Sequence, residues 1–162
     1  MMTDKFRFAE WTDKSGKESN PLIKFYKNNL SVEEYHELYT SAGWISPPKE
    51  QIEMVLKNSL LTVKAKIGEK TVGMGRLIGD GALSFMVKDV AILPDYQRQG
   101  IGKEIMDKMI DHIKQQIPKE QNVCVELFSA FGKEAFYEQF GFDKKPDGFV
   151  GYGMMKLEAG EK

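Results

Sequence analysis

Seven consecutive residues, Gln97-Arg98-Gln99-Gly100-Ile101-Gly102-Lys103, set two glycines and two cations between a β-prone run and an amphipathic helical pattern. The first N–H groups of a helix have no partners within it, and glycine leaves the backbone bare enough for an anion to approach. The chemistry offered by this spacing is phosphate capture, and a coenzyme ending in a pyrophosphate is the expected occupant. Three other residues have side chains suited to moving protons. Asp89 and Glu126 are carboxylates inside alternating apolar runs, and Tyr137 is a phenol in a short helical pattern. Cys124, mid-strand with no histidine near it in sequence, reads as a small core residue rather than a nucleophile. His36 and His112 read as helix-surface residues.

These groups need a scaffold. Residues 84–93 form a long apolar strand that Pro94 and Asp95 stop, and a helix from Gly100 carries Ile101, Ile105, Met109, Ile110, Ile113 and Ile117 along one stripe until Pro118 ends it. Val123, Val125 and Leu127 alternate in a further strand, parallel to the previous one if the helix is the usual right-handed crossover. A short helix over residues 133–140 and a last strand near residues 151–157 follow. Upstream, residues 21–26 suit a first strand, and Ser31-Val32-Glu33-Glu34 is a capping-box pattern opening a helix whose apolar side is Val32, Tyr35, Tyr39 and Ala42. Ser46-Pro47-Pro48 opens a second helix. Residues 60–67 and 71–78 then form an antiparallel pair. Gly73, Gly75 and Gly79 lie in the second of these strands with no helix after them, so they mark bulges or close approach rather than a dinucleotide fingerprint.

Bulk properties bound the function. The 162 residues fit one core, with residues 1–20 as an extension packed on or near a domain spanning residues 21–162. The 23 Lys+Arg nearly balance 24 Asp+Glu, which argues against a nucleic-acid partner or a membrane anchor. One cysteine and two histidines make neither an internal disulfide nor a metal cluster. The expectation is a cytoplasmic protein without metal, with monomer and homodimer both open.

Gln97-Arg98-Gln99-Gly100-Ile101-Gly102 matches Q-x-x-G-x-G after a strand and before a helix, and Phe136-Tyr137 to Gly141-Phe142 matches F-Y-x-x-x-G-F after the next strand. On these two signatures, in this order, residues 60–157 resemble the GNAT superfamily of acyl-CoA N-acyltransferases. The resemblance implies a mixed α/β (α+β) fold, with helices on both faces of a twisted central sheet and a parallel strand pair that splays apart. It implies acetyl-CoA as co-substrate, lying along the main chain of Val90, Ala91 and Ile92, with its pyrophosphate on residues 98–103 and with Gln97, Ser129, Phe136 and Tyr137 completing the site. Arg98 and Lys103 are either phosphate contacts or solvated surface charges. Tyr137 is, by resemblance, the acid that protonates the leaving thiolate. More loosely, residues 125–148 are similar to plant chloroplast-type enzymes that acetylate arylalkylamines and protein lysines.

An alkylamine, of pKa about 10, must lose a proton before it attacks. Asp89 shares strand parity with Phe85, Val87 and Ala91, which would put its carboxylate on an apolar face and raise its pKa; the alternative is a buried structural acid. Glu126, beside Cys124 and Phe128, is the second candidate base. The sequence departs from the family at Met86, where a glutamate is common, and at Ala130, where an asparagine is common and Ser129 stands in. Tyr35, Tyr39, Trp44, Pro47, Phe149 and Tyr152 are the candidate acceptor wall, with Tyr35 and Tyr39 equally suited to the core. The expected activity is acetylation of a small-molecule primary amine. A protein-lysine acetyltransferase and a CoA-binding sensor without turnover are the alternatives.

Overall fold

The computed structural model describes residues 22–158 together with the strand Ala9–Glu10; the remainder of the expected extension lies outside the described residues. The chain divides into two compact units, residues 1–128 and residues 129–162. Each is described separately.

In the first unit, the strands are β1 (Ala9–Glu10), β2 (Ile23–Lys27), β3 (Leu61–Ile67), β4 (Lys70–Gly79), β5 (Ser84–Ile92) and β6 (Cys124–Glu126). Among the described residues they form one sheet in sequence order, antiparallel from β1 to β5 and parallel between β5 and β6. Helix α3 (Ile101–Gln116) makes the connection that a parallel pair requires. Helices α1 (Val32–Ser41) and α2 (Lys49–Lys57) lie between β2 and β3 in sequence.

Local chemistry explains these elements. Ser31 accepts a hydrogen bond from the Glu34 N–H while the Glu34 carboxylate accepts one from the Ser31 N–H, the reciprocal cap expected from the sequence. The same Glu34 carboxylate takes two hydrogen bonds of 2.9 Å from Lys64 and one from Thr71, fastening α1 to β3 and β4. On α3, Ile101, Ile105, Met106, Met109 and Ile113 are buried. Gly73 and Gly75 give this helix room. A Cβ on Gly75 would lie 2.6 Å from Ile105 Cγ2, and one on Gly73 2.6 Å from Ile92 Cδ1 and 3.1 Å from Ile101 Cγ2. Close approach, the role expected of these glycines, is what the structure shows.

Glu34 of α1 reaches Lys64 and Thr71, whereas Gly73 and Gly75 face α3, so the two helices cover opposite faces of the sheet. Val63, Leu77 and Ile105 on the α3 side and Leu38 and Met74 on the α1 side are all at or below 1% exposure, so both faces of the sheet are packed. Two expectations need correction. Cys124 is exposed rather than in the core, because β6 is a short edge strand. Residues 151–157 are irregular rather than a strand, and Tyr152, Met154, Met155 and Leu157 among them are exposed.

In the second unit, α4 (Glu134–Glu138) is shorter than the expected helix over residues 133–140. Its aromatic residues hold it together. The Phe136 ring meets Tyr137 and Phe140 edge-on at 5.0 and 5.4 Å, and Tyr137 meets Phe142 at 6.3 Å.

Candidate active site

β5 changes character along its length. Its pairing with β6 runs from Ser84 opposite Cys124 to Met86 opposite Glu126 and stops there, while pairing with β4 continues to Ile92. Among the described residues, no strand pairs with the β6-facing edge of β5 from Val87 onward. Within that open half the ladder to β4 shifts register: Arg76 pairs with Lys88 and Met74 with Ala91, so Asp89 and Val90 together oppose Gly75. This is a β-bulge, and Asp89 within it has φ 53.

The bulge overturns the parity argument for Asp89. Before it, Val87 pairs with Leu77 on the α3 face; after it, Ile92 reaches Gly73 on that same face, an even-numbered residue in place of an odd one. Asp89 is turned toward α1. Its Oδ2 accepts hydrogen bonds from Arg76 Nε at 2.7 Å and from the Tyr35 hydroxyl at 2.9 Å. The carboxylate and guanidinium side chains are 10% and 12% exposed, so Asp89 is half of a buried ion pair rather than an acid on an apolar wall. Arg76 also donates from Nη1 to Ser59 Oγ at 3.3 Å, and Ser59 in turn donates to the Val55 carbonyl of α2.

Tyr35 leads outward to an aromatic series. Its ring stacks on Tyr39 at 5.2 Å, and Tyr39 meets Trp44 edge-on at 4.8 Å. Burial, and then the charge of Asp89, push both tyrosine hydroxyls above their ordinary range, so Tyr35 stays protonated and donates to Asp89. The sequence reading grouped Tyr35, Tyr39 and Trp44, and the structure brings them together on one side of the bulge. It had no place for Arg76 or Ser59. The available signal was an arginine after Gly75 within a strand of otherwise buried residues, a position that a carboxylate must neutralise.

Beyond Ile92, a single 3-10 turn at Pro94–Tyr96 leads to the loop before α3. Gln97 donates from its side-chain amide to the Ile92 carbonyl at 3.0 Å, and Gln99 donates to the Asp95 carbonyl at 3.2 Å, so both glutamines brace the loop. Arg98 and Gly100 have φ 59 and 83, the left-handed conformation that gathers N–H groups into a concave anion nest. Gly100 caps α3 without a side-chain hydrogen bond and has open space where a Cβ would stand. Ile101 and Gly102, in the first turn, present unpaired N–H groups to that space. These features fit a phosphate. Lys103 is turned along the helix to Asp107 at 2.6 Å, and Arg98 is exposed.

Glu126 is exposed at the end of β6. In the second unit, Ser129 and Phe136 are half-buried, and burial pushes the Tyr137 hydroxyl above its ordinary range. Phe149 and Tyr152 are exposed. At the far end of the first unit's sheet, a cavity of about 800 Å³ is lined by Ser59, Leu60, Asp80, Phe85 and His112 among others.

A mixed sheet whose parallel strand pairing stops short of the end where the N-terminus of α3 offers its N–H groups defines an α/β domain able to take a phosphate. The family model of the acetyltransferase (GNAT) domain matches residues 27–156, and the chain belongs to that family of N-acetyltransferases. It is 32% identical to the uncharacterized N-acetyltransferase ycf52 of Pyropia yezoensis, over 76% of this chain and 71% of that protein. It is 27% identical to a Glycine max protein named histone acetyltransferase TAP1, over 93% of this chain and 68% of that one. A GNAT-family acetyltransferase structure from Streptococcus pneumoniae aligns with a TM-score of 0.70 at 31% identity, covering 84% of this chain and 98% of that one. The fold is that of GNAT structures, as the two signatures led us to expect.

Proposed function

We propose that the protein transfers the acetyl group of acetyl-CoA to a primary amine of a small molecule, by direct attack on the thioester in a ternary complex. The observation that carries this reading is the open edge of β5, which continues past the last β6 pair and leads within one turn to the uncapped N-terminus of α3. Amide groups of the coenzyme arm can extend a sheet at such an edge, using the main chain of Val90 and Ile92. The pyrophosphate is taken by the N–H groups of Gly100, Ile101 and Gly102, with Arg98 at the rim.

In the proposed reaction the amine loses a proton, attacks the thioester carbonyl, and the thiolate leaves with a proton. A backbone N–H in the open half of β5 stabilises the oxyanion. Two carboxylates, Asp89 and Glu126, are candidates to take the first proton. Asp89 is engaged by Arg76 and Tyr35, whereas Glu126 is exposed to water, which favours Glu126. Tyr137, held protonated by burial, supplies the second proton, since a phenol can protonate a thiolate of pKa about 8.5 at little cost. The aromatic series at Tyr35, Tyr39 and Trp44 supports an aryl or alkyl amine as acceptor. The name of the Glycine max relative supports a protein lysine instead.

Thiol release from acetyl-CoA in the presence of aryl amines, alkyl amines and lysine peptides separates these readings. Release with a small amine is expected. Release with peptides alone would reassign the acceptor, and CoA binding without release would make the protein a sensor. Tyr137→Phe should lower turnover by about 10²- to 10⁴-fold with acetyl-CoA affinity unchanged; wild-type turnover would remove it as the acid.

A further inference from the structure

Asp89 holds a backbone conformation that an L-residue adopts at a cost, in a strand where no glycine eases it. A strained residue of this kind persists only where its surroundings over-determine it. The Asp89 carboxylate receives Arg76 Nε at 2.7 Å and the Tyr35 hydroxyl at 2.9 Å on a single oxygen. The other arm of the same guanidinium is tied to Ser59, which is itself tied to the backbone of α2.

We propose that Arg76 is a positioning residue, whose ion pair with Asp89 holds the bulge that sets the register of Val90 to Ile92 along the open edge of β5. This rests on the reading that this edge receives the acetyl-coenzyme. The bulge lets Asp89 and Val90 together oppose Gly75, and a one-residue relaxation would exchange inward and outward positions for every residue after it. The N–H and C=O groups offered to a ligand would move with them. Arg76 suits this task because a guanidinium is a rigid planar fork, able to hold Asp89 and Ser59 at once; a lysine amine on a flexible stem reaches one or the other. Both side chains of the ion pair are nearly buried, so water competes little for either. Arg76 touches neither substrate in this scheme and acts through Asp89.

The test uses Arg76→Lys, which keeps the charge and removes the fork, and Asp89→Asn, which keeps the shape and a residue tolerant of left-handed backbone. Amide hydrogen exchange at Ala91 and Leu93, the residues beyond the bulge that bond to β4, is measured in the free folded proteins, with β3 amides as the internal standard. Steady-state kinetics follow acetyl-CoA and the best amine across pH. In Arg76→Lys, exchange should quicken at Ala91 and Leu93 but not in β3, and kcat should fall about 10- to 100-fold, the scale of an ångström's misplacement. KM for acetyl-CoA should move little, because the Gln97–Lys103 loop keeps its own bonds. In Asp89→Asn, kcat should fall while the pH profile keeps its shape. Wild-type exchange or wild-type kcat in Arg76→Lys would overturn the proposal, and loss of the acid limb in Asp89→Asn would make Asp89 a base instead. If the wild-type protein releases no thiol with any amine, the transferase reading fails, and the exchange data still decide whether Arg76 holds the bulge.

Discussion

The two halves of β5 lie in one strand yet answer to different demands. From Ser84 to Met86 the strand is paired on both sides, and Phe85 within it is 1% exposed against the α3 core. From Val87 to Ile92 it is paired with β4 alone and broken by a bulge at a residue with positive φ. Satisfied backbone on both edges gives a half that contributes stability and has nothing to offer a ligand. Unsatisfied backbone on one edge gives a half that can bind, and side chains from β4 and α1 must then hold its shape.

That contrast can be broken at either end. Phe85→Ala should lower unfolding free energy by about 3–5 kcal/mol, the usual result of emptying a large core site, and leave coenzyme affinity intact in the folded fraction. Denaturant titration and calorimetric CoA binding measure the two effects, and a loss of affinity without a loss of stability would contradict the division. Gly100→Glu tests the other end. The left-handed backbone there costs a side chain about 1–2 kcal/mol of stability, a smaller loss than at Phe85. CoA binding should weaken by at least about 1.5–3 kcal/mol, the worth of one charge-assisted hydrogen bond, because a carboxylate then stands where phosphate should. Unchanged CoA affinity would remove the pyrophosphate assignment.

A smaller effect sharpens the comparison from outside β5. Burial opposes the charge on Glu34, but hydrogen bonds from Thr71, the Ser31 N–H and Lys64 outweigh it and hold the Glu34 carboxyl below its ordinary pKa. A lowered folded-state pKa stabilises the fold above the unfolded value of about 4.3, and this contribution is lost as pH falls through the folded one. Thermal midpoints should therefore drop below pH of about 4.3 more steeply in the native protein than in Glu34→Gln. Parallel curves would show that the α1 clamp, which carries Tyr35 to the bulge, does not depend on this charge.

How much of this was legible depended on whether the signal was local. Ser31 and Glu34 announced their cap three residues apart, Gly100 and Gly102 announced bare backbone at a helix start, and the stripe from Ile101 to Ile113 announced a buried helix face. The bulge was not legible, because no glycine marks the left-handed backbone at Asp89 and the extra residue is defined only against Gly75 on the neighbouring strand. Arg76 was missed for the same reason. Its partner is fixed by register rather than by spacing along the chain. Cys124 was misplaced because alternation within a strand says which residues share a face, not whether anything covers that face.

Gly73 and Gly75 carry a last consequence. Their missing side chains let Ile101, Ile105 and Met109 come down onto β4, so the helix beds directly on the sheet over its first turns. A straight helix moves as a stiff rod. Any shim placed beneath Gly75 would tilt or lift α3, and the displacement would appear at its N-terminus as a change in height of the N–H groups above the end of β5. In the proposed site, the distance between its thioester end and its phosphate end is thus gauged by two residues that touch neither.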